Sequence, residues 1–280
     1  MEGIYQKIAE HQSIFTKKFQ KISSYIYHEP EIIAANSATE AGKTMGVSET
    51  TVIRFCQTLG YPGYRALQEE VQKHLFQKSS LTEYVEDKAI DGSQNQPIKG
   101  LMANDLEAIQ QTMRQISEAH LETAVTKIAA ADKVLVAGIR TSHALASWFA
   151  FSLDLIMGNT RLYQPNVDDI LLRMSALSDQ SVVVAFSFHR YAIDTIRLAK
   201  LAKQQGAFVI AFTDSPVSPI TGHASLTLPI PFHEKSTLDV APAAMSLANS
   251  IVSAISLRNA DQFQKRATLF DSIQGQDFFA

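Results

Sequence analysis

Residues 133–138 read KVLVAG and residues 180–187 read QSVVVAFS, two short runs that are β-rich and almost wholly apolar. Similar runs follow at 207–213 (AFVIAFT) and 224–230 (ASLTLPI), and a weaker one lies at 161–164. Stretches typical of helices separate and close these runs, at 142–157, 167–176, 191–205 and 239–259. Because buried strands alternate with helices, the pattern indicates a parallel sheet that is covered on both faces.

Ligands of open parallel sheets bind beyond the carboxyl ends of the strands, so the loops after Gly138, Ser187 and Thr213 are the candidate ligand loops. Two of these loops carry an arginine close to the strand end, Arg140 and Arg190. A guanidinium presents a planar fork of donors that matches a carboxylate or a phosphate. The sequence therefore predicts an anionic ligand at this edge. The alternative is that Arg190 and His189 only cap or solvate the N-terminus of a helix.

The first 77 residues show helical patterns only. Ser37 and Glu40 have the spacing of a capping box, which predicts the start of a short helix. Gly46 follows as a residue that accepts positive φ at a turn, and Ser48 is placed to cap the next helix. Two short helices around such a turn predict a helix-turn-helix.

The second of these helices would present its outward side chains to the major groove of DNA. We expect DNA contacts from the polar residues at and before its first turns: Lys43, Ser48, Thr50, Thr51, Arg54 and Gln57. Arg54 suits guanine and Gln57 suits adenine, whereas the others suit phosphates. The same pattern occurs in three-helix domains that do not bind DNA. Charge does not decide between the two, since residues 1–77 carry 8 Lys and Arg against 8 Asp and Glu.

The domain organisation follows from a polar stretch between the two patterns. Residues 78–100 have linker composition, so we predict a DNA-binding domain over 1–77 and an effector-binding and oligomerisation domain over 101–280. Within the second domain, apolar residues repeat at heptad spacing: Met102, Leu106, Ile109, Met113 and Ile116. Because this seam is only about two heptads long, we expect it to pack against its own domain rather than to form a coiled coil.

Composition bounds the class of protein. The chain has 280 residues, of which 46% are hydrophobic, and this composition excludes intrinsic disorder for most of the chain. Its formal net charge of −3 gives no global sign that it binds nucleic acid or an anionic membrane. Cys56 is the single cysteine, so no intramolecular disulfide forms and a reducing compartment is expected. The sequence shows neither a signal peptide nor an apolar run of membrane-spanning length. We therefore expect a cytoplasmic protein with no membrane partner.

Residues 45–64, MGVSETTVIRFCQTLGYPGY, together with KISSYI at 21–26 and Glu29-Pro30, resemble the N-terminal domain of RpiR/MurR-type transcriptional regulators. One departure is Ala41-Gly42, where members of the family more often carry Leu-Ala. The resemblance implies DNA binding by the helix-turn-helix and a C-terminal SIS (sugar isomerase) domain, an α/β/α sandwich with a five-stranded parallel sheet. Residues 206–216, GAFVIAFTDSP, are similar to a strand and loop of that domain.

The ligand loops depart from the phosphosugar pattern of SIS domains. Where the family reads S-x-S-G-x-T, residues 187–192 read SFHRYA, and where it reads G-x-G-x-S, residues 138–142 read GIRTS. The second glycine of the first loop is thus Arg140, and histidine and arginine replace a Ser-Gly pair in the other. The expected effector contacts are the loop residues and an acid after the last strand: Gly138, Arg140, Thr141, Ser142, Ser187, His189, Arg190 and Glu234.

These observations predict a sequence-specific transcriptional regulator that binds double-stranded operator DNA as a homodimer or homotetramer and senses a small, anionic metabolite, such as a sugar phosphate or another acid. No catalytic residue, cofactor or metal is expected. One alternative is a sugar-phosphate isomerase with an accessory helical domain, because Glu234 lies near where isomerases of this fold place a catalytic base. Another is a DNA-organising protein that responds to no ligand.

Overall fold

The computed structural model describes residues 2–77, 97–216, 218–230 and 239–272. The chain divides into two compact units, Met1–Ser80 and Leu81–Ala280. Most of the expected linker and one expected effector contact, Glu234, lie outside the described residues. The domain bounds of 1–77 and 101–280 stay predictions.

The first unit is helical throughout its described residues. Its helices are α1 (Glu2–His11), α2 (Lys17–His28), α3 (Pro30–Ala35), α4 (Ala38–Met45), α5 (Glu49–Thr58) and α6 (Tyr64–Gln77). Helix α2 begins at a side-chain cap, since the Thr16 hydroxyl accepts a hydrogen bond from the Phe19 N–H. It ends at His28, because Pro30 occupies the first turn of the next helix and restricts the residue before it.

An aromatic cluster fills the centre of the first unit. The rings of Phe15, Phe19 and Phe55 lie 5.4–6.0 Å apart between centroids, and Phe55 is fully buried. From α6, the Tyr64 hydroxyl donates to the Ile33 carbonyl at 2.9 Å and to the Asn36 carbonyl at 3.0 Å. The last helix thereby satisfies carbonyls at the end of α3 that have no partner within their own helix.

The predicted helix-turn-helix is present in α4 and α5. Ser37 and Glu40 form both hydrogen bonds of a capping box at the start of α4. Gly46 ends that helix with φ 65. A Cβ at Gly42 would lie 2.9 Å from the Val47 carbonyl oxygen, so the two helices approach more closely than a larger residue allows. Ser48 caps α5 by accepting from the Thr51 N–H.

The second unit is a five-stranded parallel sheet with helices on both faces. Its elements are α7 (Ile98–Gln115), α8 (Glu118–Ala129), β1 (Val134–Gly138), α9 (Ser142–Met157), β2 (Thr160–Leu162), α10 (Ile170–Ser175), β3 (Val182–Phe186), α11 (Ile193–Gln204), β4 (Phe208–Thr213), β5 (Leu226–Pro229), α12 (Ala241–Arg258) and α13 (Ala260–Ser272). The strand order is β2-β1-β3-β4-β5 and each neighbouring pair is parallel. The predicted fold class, helical head and α/β/α sandwich, is confirmed.

Alternate residues of β1, β3 and β4 face two separate cores, as the two-residue period of a strand requires. Val134 and Val136 pack with Phe149 of α9 in one core. Leu135 packs with Leu198 of α11 in the other. The helices after β1 and β3 therefore cover opposite faces of the sheet.

The expectation for the heptad seam is only partly correct. Ile109 and Ile116 pack against the core of their own unit. Met102, Leu106 and Met113, on the same helix, are 56–69% exposed. The helix is therefore amphipathic, and only part of its apolar stripe packs against the described core of its own unit.

Among the residues that the structure describes, no helix combines the length and the apolar character that crossing a membrane requires.

A candidate anion pocket and a candidate DNA surface

Helix α5 presents a polar face to the outside of the first unit. Thr50, Arg54 and Gln57 are exposed, and their spacing of four and three residues places them on one side of the helix. Lys43 is exposed near the end of α4. Four of the six expected DNA contacts are thus exposed side chains outside the helix cap, and a fifth, Ser48, is exposed at the cap.

Ser48 and Thr51 are the other two, and their hydroxyls are partly occupied within the protein. Their oxygens lie 2.8 Å apart, while Ser48 Oγ also accepts the Thr51 N–H. Ser48 is exposed and Thr51 is half-buried. Their first task is therefore to start the helix, and any phosphate contact uses the hydroxyl capacity that remains.

Helix α5 also carries a side chain that the expected set of DNA contacts leaves out. Glu49 stands in its first turn, is exposed, and accepts a hydrogen bond from the Thr39 hydroxyl at 2.7 Å. Its carboxylate suits the helix N-terminus electrostatically.

A pocket of about 100 Å³ opens between the ends of β1 and β3. Six expected effector contacts line it: Arg140, Thr141, Ser142, Ser187, His189 and Arg190. The strand order explains its place. After β1 the chain continues to β2 on one side of the sheet, and after β3 it continues to β4 on the other side. The two loops therefore diverge and leave a crevice between them.

Gly138 does not line the pocket but shapes it. A Cβ at this position would lie 2.6 Å from the Ser142 carbonyl oxygen, so only glycine lets the first turn of α9 approach the end of β1 this closely. Glu234, the eighth expected contact, lies outside the described residues.

The backbone of both pocket arginines is unusual. Arg140 has φ 58 and Arg190 has φ 65, and they are the non-glycine residues with positive φ in the described chain. For an L-residue this conformation costs on the order of 1–2 kcal/mol. Both positions are ones where the family's loops carry glycine. Glycine adopts such a φ at no steric cost, whereas the two arginines of this chain hold it against their Cβ.

Several donors of the pocket are open. Ser187 is 2% exposed, and its hydroxyl has no hydrogen-bond partner among the described residues. The N-cap residues of α9 and α11, Thr141 and Ala192, form no side-chain cap. Neither arginine forms an ion pair with a carboxylate of the described chain. No Asp or Glu is among the described lining residues, so the pocket offers cationic and hydroxyl donors that favour an anion.

Asp214, directly after β4, holds the loop that carries Arg190 and is missing from the expected site. Its Oδ2 accepts the His189 N–H at 3.1 Å and its Oδ1 accepts the Tyr191 hydroxyl at 2.8 Å. Burial raises the pKa of the Asp214 carboxyl, against hydrogen bonds that lower it. Burial, then the Asp214 charge, raises the pKa of Tyr191. Its position after a predicted strand is the signal that points to it in the sequence.

The two units have different chemistry: a helix-turn-helix surface suited to DNA and an α/β crevice suited to a small anion. Together they are typical of a DNA-binding transcriptional regulator with an additional α/β domain.

Comparisons with known proteins agree with this class. The helix-turn-helix domain of the rpiR family matches residues 2–78, and the SIS domain matches residues 127–254. The chain therefore carries a helix-turn-helix domain of the rpiR family followed by a SIS domain. A relative from Haemophilus influenzae, described as an uncharacterized HTH-type transcriptional regulator, is 26% identical over 81% of this chain and 79% of its own. The HTH-type transcriptional regulator HexR of Escherichia coli is 26% identical over 82% of this chain and 78% of its own.

Two solved structures share the fold. The NanR protein of Vibrio vulnificus, solved with ManNAc-6P, covers 96% of this chain and 98% of its own, with a TM-score of 0.61 at 18% identity. The sugar isomerase domain of an RpiR transcription factor from Sphaerobacter thermophilus covers 62% of this chain and 97% of its own, with a TM-score of 0.56 at 24% identity.

Proposed function

We propose that this transcriptional regulator binds a small anionic metabolite in the crevice between β1 and β3 and that this binding changes its affinity for operator DNA. The observation that carries the proposal is the buried hydroxyl of Ser187, which has no hydrogen-bond partner among the described residues and lies in a pocket that two arginines with left-handed backbones also line. Strain at two residues of one pocket points to a role in function rather than in stability. The sugar phosphate bound by NanR supports an anion of this type.

On the DNA side, we propose that Arg54 and Gln57 contact base edges, whereas Lys43, Ser48, Thr50 and Thr51 contact phosphates. The exposed face of α5 supports this assignment. Because the proposed operator lies in chromosomal DNA, we expect the protein in the cytoplasm.

We propose that the protein acts as a homodimer or homotetramer, because paired recognition helices on two half-sites require at least two copies. The exposed apolar stripe on α7 supports association: Ile98, Met102, Leu106 and Met113. A stripe of this kind on a soluble protein marks an interaction surface. Sedimentation of the full chain tests the point.

The proposal assigns recognition and not turnover to the pocket. Relatives of this chain are named transcriptional regulators, and the described lining residues include no carboxylate that would serve as a general base. A test for isomerisation of sugar phosphates by the full chain would reveal the alternative activity, and its loss in Glu234→Ala would assign that activity to this site.

The test of the proposed function measures binding of the full chain to the promoter DNA of its own gene, with and without a panel of sugar phosphates and sugar acids. We expect one class of anion to change the DNA affinity at least ten-fold, and Arg190→Gly to remove the response while DNA binding without ligand stays. Arg197→Ala is the matched control, because it removes the same charge from an exposed position on α11. An unchanged response in Arg190→Gly would contradict the role of the pocket.

A further inference from the structure

Helix α9 is apolar on its outer side as well as on the side that packs against the sheet. Its sequence, SHALASWFAFSLDLIM, contains Asp154 as its single Asp, Glu, Lys or Arg. Phe149 and Leu153 are fully buried in the core, whereas Phe151, between them in sequence, is 70% exposed on the opposite side of the helix. A helix that is apolar all round is typical of a buried position, so we expect the outer side of α9 to be covered.

The neighbouring helix α12 provides a comparison within the same layer of helices. It contacts both α9 and α7 and therefore lies between them. The exposed residues in the middle of α12 are polar: Asn249, Ser250 and Ser253. A polar surface thus separates the apolar side of α9 from the apolar stripe of α7, and the two apolar surfaces are distinct.

Helix α13 extends the apolar side of α9. Gln262 donates to the Met157 carbonyl at 3.1 Å, and Arg266, one turn later, donates to the Leu155 carbonyl at 3.1 Å. The two helices therefore run antiparallel, and the last turn of α13 reaches the level of Phe151. Four exposed side chains form what we name the α9/α13 surface: Phe151, Leu155, Leu269 and Phe270.

The outer side of α9 is complementary to an antiparallel copy of itself. Its residues follow the 4-3-4 spacing of a helix-packing seam: Ala144, Trp148, Phe151 and Leu155. This spacing reads the same in both directions, so a two-fold axis between Trp148 and Phe151 aligns the seam with its copy. Trp148 then faces the partner's Phe151, and Ala144 faces the partner's Leu155. An aromatic pair and a small residue against a large one are the matched contacts that an isologous interface needs.

The polar groups beside the seam also fit a second copy. His143 and Asp154 are exposed on the same flank of α9, about three turns apart. The same two-fold axis brings His143 to within about one turn of the partner's Asp154. Asp154 Oδ1 accepts the Thr160 N–H, and the carboxylate keeps further acceptor capacity. Each end of the contact thus pairs a donor with an acceptor.

The exposed area is large enough to form the centre of an interface. Phe151 and Phe270 are 70% and 50% exposed, which leaves roughly 200 Å² of aromatic surface in water when an aromatic side chain buries about 150–250 Å². The two leucines add to it. Contiguous apolar patches of about 300–600 Å² on a protein surface often mark a binding site.

We propose that the α9/α13 surface binds the same surface of a second copy of this chain, with the two α9 helices antiparallel about a two-fold axis. The stripe on α7 forms a separate contact. Two different isologous contacts on one chain close into a tetramer of D2 symmetry. This inference goes beyond the proposed function, which leaves dimer and tetramer open, and it depends on neither the ligand nor the DNA.

Sedimentation of the full chain counts the copies. We expect four for the unaltered protein and two for Phe151→Glu, because a carboxylate in the middle of an apolar contact has no partner. Leu106→Glu, on α7, should also leave two copies, and the two changes together should leave single chains. Ser250→Glu is the matched control, since it places the same charge on the outer side of α12, and it should keep four. The replaced side chains are exposed, so thermal unfolding should show that each variant stays folded.

An equimolar mixture of Phe151→Glu and Phe151→Lys tests the two-fold geometry. The axis brings this position close to its own copy, so opposite charges should restore four copies. A mixture that stays at two copies overturns the antiparallel arrangement. An unchanged number of copies in Phe151→Glu alone overturns the α9/α13 contact, whether another segment of this chain or a different protein covers the surface. A loss of copies in Ser250→Glu equal to that in Phe151→Glu also overturns it, because added charge rather than position then explains the effect.

Discussion

The helix-turn-helix and the anion pocket use the same left-handed backbone but place different residues in it. At the turn before α5 the residue is Gly46, with φ 65, whereas at the pocket the residues are Arg140 and Arg190, with φ 58 and 65. The two helices of the first motif also begin at serine caps, and those of the pocket begin without a side-chain cap. The helix-turn-helix thus has the residues that favour its backbone locally, whereas the pocket lacks them at the positions that we propose contact a ligand.

The largest effect we expect comes from the core that holds the DNA-binding motif. Phe55→Ala removes a fully buried ring that packs against Phe15 and Phe19, and the loss is about 3–5 kcal/mol of unfolding free energy for that unit. DNA binding should disappear while anion binding by the second unit persists. Thermal unfolding and the binding of tungstate, a tetrahedral dianion that stands in for phosphate, measure the two effects. Ile14→Ala, at an exposed residue of the same unit, is the control. Loss of both activities would show that the units depend on one another.

A smaller effect separates base contacts from phosphate contacts on α5. Arg54→Ala should weaken operator binding by about 1–3 kcal/mol and relax the preference at one base pair. Lys43→Ala should instead weaken binding to all sequences alike and reduce the salt dependence by about one ion. Binding titrations on a set of single-base operator variants at several salt concentrations measure both. A uniform loss in Arg54→Ala, or no loss, contradicts its assignment to a base.

A reciprocal exchange tests the comparison directly. Gly46→Arg places an arginine in the left-handed conformation of the first unit and should destabilise it by about 1–2 kcal/mol. Arg140→Gly relieves the same strain in the second unit. Because glycine also loses more freedom on folding, the net gain should be about 0.5–1 kcal/mol. Denaturant unfolding of each variant without anions gives the two values, and a loss of stability in Arg140→Gly would show that the arginine stabilises the fold itself.

Much of the fold could be predicted from the sequence because its signals are local. The helix of Ser142–Met157 and the capping box at Ser37 appear where the pattern places them, and both depend on periodicity or on a three-residue spacing. The convergence of Arg140 and Arg190 follows from the position of their loops at the ends of neighbouring parallel strands.

The rest depends on three-dimensional packing that no local pattern reports. That Arg140 and Arg190 both have a positive φ is visible only in the backbone of the folded chain. Asp214 becomes part of the site because β3 and β4 are neighbours, which brings its carboxylate beneath His189. Met102 lies in the same seam as Ile109, yet only Ile109 has a surface to pack against.

The smallest effect concerns the carboxylate beneath the pocket and its pH dependence. Burial raises the pKa of Asp214 in the folded state above the value of about 3.9 expected when unfolded. Between these two values the folded state binds more protons than the unfolded state, so its stability falls as the pH rises through that window. Asp214→Asn keeps an acceptor for the His189 N–H and cannot titrate. As the pH rises from 4 to 7, the unaltered protein should therefore lose stability relative to this variant. Urea unfolding at matched pH values measures it, and parallel pH profiles of the two proteins would show that Asp214 ionises in the folded state as it does in the unfolded chain.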